Sequence, residues 1–336
     1  MLSTTAPEAR FSTQSQKPAG ALAREGGNGN IAHAIRDDAW TLPWKRFGIS
    51  VLSSISFIVL YGLSYGMVLF AISVGLVVTM GLMRVVNMAH GVFAALGGYI
   101  SLVLMNEHGV SFSLALPIAC AVVVLVSVPI ERLLFRRLYT ASELDQVLMT
   151  IGLAFLGAAS LNLFFGSDPM PSTLPKALSA NVDLGIRTFQ VYRIFVVVFG
   201  ALLMAALWIL FEATDFGARI RAAVDNRRMA EAVGVNVDRL FMLAFALGCG
   251  LAALGGAIGY VMLPLEPMYP FKYLTIILIV VSLTGFGNIR SAAGIAIAVG
   301  IVDTAGRFLA PSIGGFVIYV FLIAVMAWRG AMPGLR

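Results

Sequence analysis

Charge is what this 336-residue chain has least of: 12% of its residues are Asp, Glu, Lys or Arg, and 59% are hydrophobic. A soluble domain carries roughly 25% charged residues, so an ordinary water-soluble globule is excluded. Lysine is scarce too, with only Lys17, Lys45, Lys176 and Lys272, and none follows a glycine, so a Walker A phosphate loop is missing. There is no HExxH, and no GxSxG with a His partner. No catalytic residue is therefore assigned, and any energy from ATP must enter through another polypeptide. The two cysteines, Cys120 and Cys249, each sit in an apolar run, which argues against a disulfide framework and leaves no metal-ligand spacing. No metal or other cofactor is expected. The net charge of +6 does not indicate nucleic acid, because the basic residues occupy short polar segments between long uncharged runs.

Those uncharged runs are what the chain has in abundance. Residues 1–46 are polar, rich in Gly, Ser, Gln and Asn, and read as a disordered extension. Trp40, Trp44, Lys45 and Arg46 then mark the membrane surface. The run from Ser50 to Met83 is far longer than the h-region of a cleavable signal, so it stays in the mature protein. With about 20 apolar residues per bilayer crossing, further spans fall near 88–106, 112–130, 146–166, 191–213, 240–263, 272–302 and 314–328. The run at 272–302 has room for a turn at Gly285, Phe286, Gly287 and Asn288. The expected fold is an all-α polytopic transmembrane helix bundle of 8 to 10 spans, occupying residues 47–332. Its abundant glycine, 34 residues, suits close helix contact in lipid.

Arginine placement orients the bundle. Arg132, Arg136 and Arg137 crowd one loop and Arg219, Arg221, Arg227, Arg228 and Arg239 another, with an even number of spans between them. Both should be cytoplasmic, and the loop 166–190, with Pro169, Pro171 and Pro175, should face outward. The side of the N-terminus stays open.

Three constellations stand out. Arg84, Asn87, Met88, Ala89, His90 and Gly91 form a polar interruption between two apolar runs. A helix broken there would aim free amides at an anionic substrate group, and a surface loop capped by His90 fits the same spacing. Ala89, Gly91, Ala95 and Gly97 recur at the same spacing as Ala292, Gly294, Ala298 and Gly300, a pointer to an internal repeat around a central pathway. The segment DFGARIRAAVDNRRMAEAVGVNVDR, residues 215–239, carries a small apolar face and a charged face with a turn former at Gly234, a short helix pair suited to a groove on a soluble partner. Gly248, Ala252 and Gly256, and Gly255 and Gly259, are spaced for helix packing. Asp303 and Arg307 should pair near an interface, since burying either charge alone costs about 3 kcal/mol. Trp208 and Trp328 read as interfacial belt residues, and Glu212 should reach the cytoplasmic interface.

From about residue 50 onward the chain resembles the branched-chain amino acid permease family of ABC importers. GLMRVVNMAHGVFAALGGYI, residues 81–100, is similar to that family's G-x-x-x-x-(I/L)-N-F-A-H-G-(E/D)-x-x-x-x-G-x-Y segment, with Met88 in place of Phe and Val92 in place of an acid. GARIRAAVDNRRMAEAVGVNVDRLFMLAFALGCGLAALGGAI resembles its coupling loop and following span, and SLTGFGNIRSAAGIAIAVGIVD its Gly-rich turn segment, with Thr284 where a second Gly is commoner. The resemblance implies a bacterial inner-membrane permease subunit for branched-chain or other small amino acids. With the polar interruption and the repeated spacing, the importer reading puts the substrate pathway at Arg84, Asn87, Ala89, His90, Gly91, Gly97, Gly287 and Gly294. The resemblance also implies a cytoplasmic coupling loop at 214–239 presenting Arg221, Ala222, Asp225, Arg228, Ala230, Gly234 and Asp238 to an ATPase. The implied partners are ABC ATPase subunits, a second permease subunit (a paralogue or a second copy), an extracytoplasmic substrate-binding protein and membrane lipid, with no nucleic acid. The missing acid at Val92 leaves the amino acid itself open. The alternative is a secondary transporter or channel for a small solute without ATP coupling, against which the uncharged spans argue. An intramembrane enzyme would need a partner for His90, and none is evident.

Overall fold

The computed structural model describes residues 43–83, 87–139, 141–183, 188–284 and 288–331, and for 43–52 and 329–331 the backbone alone. The described residues from 50 onward make one compact unit. The polar extension expected over 1–46 lies outside the described residues as far as residue 42, whereas 43–46 already belong to the first helix.

That helix, α1 (Pro43–Met83), is a single uninterrupted element, so the run from Ser50 is one helix and not a hairpin. It is followed by α2 (His90–Asn106), α3 (Phe112–Ile130), α4 (Glu143–Phe165), the strands β1 (Asn181–Asp183) and β2 (Thr188–Gln190), and α5 (Val191–Glu212). Then come α6 (Asp215–Asp225), α7 (Arg227–Ala232), α8 (Val237–Gly259), α9 (Tyr269–Lys272), α10 (Leu274–Thr284), α11 (Ile289–Leu309) and α12 (Gly314–Ala331). Among the described residues six helical stretches are long and apolar enough to cross a membrane, and α2, α10 and α12 are shorter apolar helices. The expected run 272–302 is thus split into α10 and α11. Asn288, which ends its turn, caps α11 by accepting from Ser291 N at 3.1 Å.

Burial sorts the spans into two kinds. The most apolar windows of α1 and α8 are 89% and 78% buried, whereas those of α3, α4 and α5 are 28%, 22% and 17% buried. The core is therefore an α1–α8 pair, and the other three turn Leu125, Leu163, Phe164 and Leu202 outward. In water that exposure would cost about 25 cal/mol per Å² of apolar surface, and in lipid the cost vanishes. Small residues let the core helices touch. On α8, Gly248 and Gly255 meet Gly75 and Ile72 of α1, and Gly256 abuts the Ala94 backbone of α2.

The two ends of the bundle differ. At one end α3 runs on through a π turn (Glu131–Phe135) to Leu138, and Arg136 pairs with Asp238 beside the start of α8. Both arginine-rich segments therefore lie at the same end, as an even number of intervening spans requires. At the other end the loop from Gly166 forms a small antiparallel hairpin pairing Val182 with Phe189. It is stitched down by Met170 N to Leu265 O (2.9 Å), Tyr260 Oη to Thr173 O (3.0 Å) and Thr173 Oγ1 to Asn106 Oδ1 (2.9 Å).

Candidate functional site

The polar interruption after α1 is a helix break well inside the bundle. His90 opens α2 with its ring buried, and its Nε2 lies 2.9 Å from Ile72 O on α1. At a rise of about 1.5 Å per residue, Ile72 stands about 16 Å from the Met83 end of its helix. The surface-loop alternative for this segment therefore gives way to a broken helix starting near mid-depth. Asn87 Oδ1 accepts from Ala89 N at 3.0 Å, and a Cβ on Gly91 would meet Pro270 Cα of α9 at 2.9 Å. The N-terminal end of α2 thus meets α9, from which α10 descends for only 11 residues, about 16 Å or half of a bilayer core of about 30 Å. Asn87 Nδ2, His90 Nδ1 and Tyr269 Oη are buried there without a hydrogen-bond partner among the described residues.

The expected pathway residues do not all meet. Arg84 and Gly287 lie outside the described residues. Asn87, Ala89, His90 and Gly91 gather at the break, and Gly97 packs against Ala253 of α8. Gly294 is exposed on α11 with open space around it, apart from that group. The repeated small-residue spacing is used unequally. Gly97 and Gly300 both seal helix contacts, whereas Gly91 is packed and Gly294 free.

Residues not singled out for the pathway line two cavities at opposite ends of the seam between α1, α5 and α11. The cavity at the arginine-rich end, about 500 Å³, is bounded by Leu82, Trp208, Glu212, Arg221, Asp225 and Arg290. Arg221 donates to Phe211 O, and the Arg290 guanidinium lies 5.2 Å over the Trp208 ring. The cavity at the other end, about 730 Å³, is bounded by α1 through Tyr61 and Tyr65, by Arg193 at the start of α5, by Lys272 and Tyr273, and by Asp303 and Arg307 of α11. Between the cavities α1 and α11 are in backbone contact. A Cβ on Gly62 would sit 2.6 Å from Ile301 Cα, and one on Gly66 2.7 Å from Ile297 Cα.

In the larger cavity the Arg193 guanidinium lies 3.6 Å over the Tyr61 ring and Nη1 donates to Ser64 Oγ at 3.3 Å. Tyr61 stacks on Phe57 at 3.9 Å, and Phe57 meets Phe308 at 5.2 Å, so an aromatic chain joins α5 to the end of α11. Arg307 Nε donates to Asp303 Oδ2 at 2.8 Å. The expected pairing of these two charges is present, with Asp303 almost wholly buried in the cavity wall. The signal that could have exposed the cavity was Arg193, a charge three residues into an otherwise apolar span.

The segment 215–239 forms the expected helix pair, with the break at Asn226 and the turn at Gly234, whose φ of 91° suits glycine. Asn226 Oδ1 caps α7 through Met229 N at 3.0 Å. Arg221, Ala222, Asp225, Arg228 and Gly234 are exposed, while Ala230 faces the bundle. Asp238 is tied to Arg136 and, at 3.0 Å, to Arg227. Val224, Met229 and Val233 are exposed among the arginines. Nearby, burial and then the hydrogen bond to Glu131 at 2.7 Å push the Tyr139 hydroxyl above its ordinary range.

A polytopic bundle whose broken helices meet at mid-depth, with a cavity at either end of one seam, defines the membrane subunit of a solute transporter. The chain belongs to the family described as branched-chain amino acid transport system / permease component, whose model matches residues 58–326. It is a multi-pass transport subunit of the inner membrane. It is similar to the probable branched-chain amino acid transport permease protein LivH of Methanocaldococcus jannaschii, 27% identical over 78% of this chain and 85% of that one. It is also similar to the high-affinity branched-chain amino acid transport system permease protein LivH of Escherichia coli K12, 27% identical over 59% of this chain and 68% of that one. The autoinducer 2 import system permease protein LsrC of Salmonella paratyphi B is 30% identical over 43% of this chain and 40% of its own. No solved structure matches.

Proposed function

We propose that the chain is the membrane-spanning permease subunit of an ATP-binding-cassette importer for branched-chain or other small amino acids. The observation that carries this reading is the α6–α7 pair, where exposed Val224, Met229 and Val233 sit among arginines directly beside the cavity that Arg221 and Asp225 help to line. An ATPase subunit gripping that pair would move the wall of the cavity itself, which links hydrolysis on a separate chain to opening of the α1–α11 seam. The excess of arginine supports reading this end as cytoplasmic. The hairpin end then faces the substrate-binding protein, and the apolar outer faces of α3, α4 and α5 serve lipid and a second permease subunit. The relatives' names supply the cargo class.

The test is uptake of labelled leucine into proteoliposomes holding the complex of this chain with its co-purified subunits. Uptake that requires ATP on the side of α6–α7 is expected. Uptake driven by a proton gradient without ATP would instead favour a secondary transporter.

A further inference from the structure

We infer that the larger cavity is a zwitterion-binding chamber, in which Asp303 receives the ammonium and Arg193 the carboxylate of a free amino acid in transit. The inference rests on the importer reading and deepens it by naming the subsite.

Two unsatisfied groups of opposite kind line this one space. Asp303 is 2% exposed, and Arg307 bonds only Oδ2, leaving Oδ1 buried with no partner among the described residues. A buried carboxylate oxygen without a donor is costly, and a ligand ammonium supplies the donor. Arg193 Nε is likewise buried without an acceptor. Tyr61 holds the guanidinium plane and Ser64 holds Nη1, so the Nε edge is the side left to receive a carboxylate. Lys272 is committed to Glu266 at 2.6 Å, and Arg307 gives its Nε to Asp303 and is mostly exposed, so Arg193 is the cation of the lining with a buried donor left unsatisfied among the described residues. A simple amine would satisfy Asp303 alone, and a simple acid Arg193 alone. Only a ligand carrying both charges completes both. The chain of Phe57, Tyr61 and Phe308 offers an apolar surface to its side chain.

The test measures equilibrium binding of L-leucine, 4-methylpentanoate (leucine without its ammonium) and isoamylamine (leucine without its carboxylate) to the purified transporter complex. Nanodiscs of phosphatidylglycerol alone keep zwitterionic headgroups out. Asp303→Asn should weaken leucine about tenfold or more while leaving 4-methylpentanoate within about twofold. Arg193→Gln should weaken leucine similarly and leave isoamylamine unchanged. If Asp303→Asn does not assemble, Asp303→Glu, which displaces the charge by one methylene, should show the same split. No saturable leucine binding, or equal weakening of leucine and the matched analogue, overturns the inference. So does complete displacement of leucine by added phosphatidylethanolamine, which would assign the chamber to a lipid headgroup. ATP-driven leucine uptake with unchanged analogue selectivity in both variants would sink the chamber and leave the importer reading standing. Absence of ATP-driven uptake in the unmodified complex would sink that reading itself.

Discussion

Arg307 is mostly exposed, whereas its partner Asp303 is held inside the wall of the larger cavity, so the two ends of this ion pair are unequal in what their loss costs. Arg307→Ala leaves a buried carboxylate facing nothing and should lower stability by about 2 kcal/mol, read as a fall in the detergent melting temperature. An unchanged melting temperature would mean that Asp303 is solvated and not confined. Tyr139 gives a pH signature. Its hydroxyl is raised in the folded state, so its contribution is complete below the ordinary tyrosine value of about 10 and is lost as pH rises through the raised value. Wild type should therefore lose more stability than Tyr139→Phe as pH climbs above about 10 toward the raised value, and parallel melting curves in that window would contradict the assignment. Residue roles were only partly legible beforehand. Asp303 and Arg307 stand four apart and announce their own pairing, but Arg193 acquires meaning only when Tyr61 and Ser64, more than a hundred positions earlier, are folded beneath it.

At the scale of elements, the caps decide where the arginine-rich helices begin. Asn226→Ala removes the side chain that satisfies Met229 N and should cost about 1 kcal/mol, loosening α7 in hydrogen exchange while the spans stay protected. The docking role of α6–α7 is better probed at Met229 than at Gly234. A side chain at Gly234 would strain a backbone at φ 91° whatever partner binds, and Met229 is exposed on a regular turn. Met229→Asp should abolish stimulation of the ATPase with the permease still membrane-inserted, and normal stimulation would remove the docking assignment. Spans and their breaks were readable because apolar runs and capping residues act locally. The depth of the break at His90 was not, since it depends on Ile72 O and Pro270 being brought to it from two other elements. Nor does hydropathy separate a core helix from a peripheral one. α1 and α5 are comparably apolar, with mean hydropathies of 2.2 and 2.8, and only packing shows that one is buried and the other faces outward.

At the level of the molecule, the proposed function routes solute along the seam where α1 and α11 touch through Gly62, Gly66 and Gly300. Contact that close closes the seam without bulky side chains between the helices, so it can part as a rigid-body movement and reseal. The repeated small-residue spacing points to the His90 and Gly294 segments alike, because spacing records which positions are small and not which neighbour they meet. The direct measurement is to tether the seam across the mouth of the larger cavity. With Cys120 and Cys249 replaced by Ala, Phe57→Cys and Phe308→Cys are joined by a short bifunctional maleimide in the reconstituted complex. ATP-driven uptake of leucine by the double variant should stop on tethering and return when a linker with a cleavable centre is cut, whatever baseline the loss of the two rings sets. Undiminished uptake by the tethered protein would contradict a passage along α1 and α11.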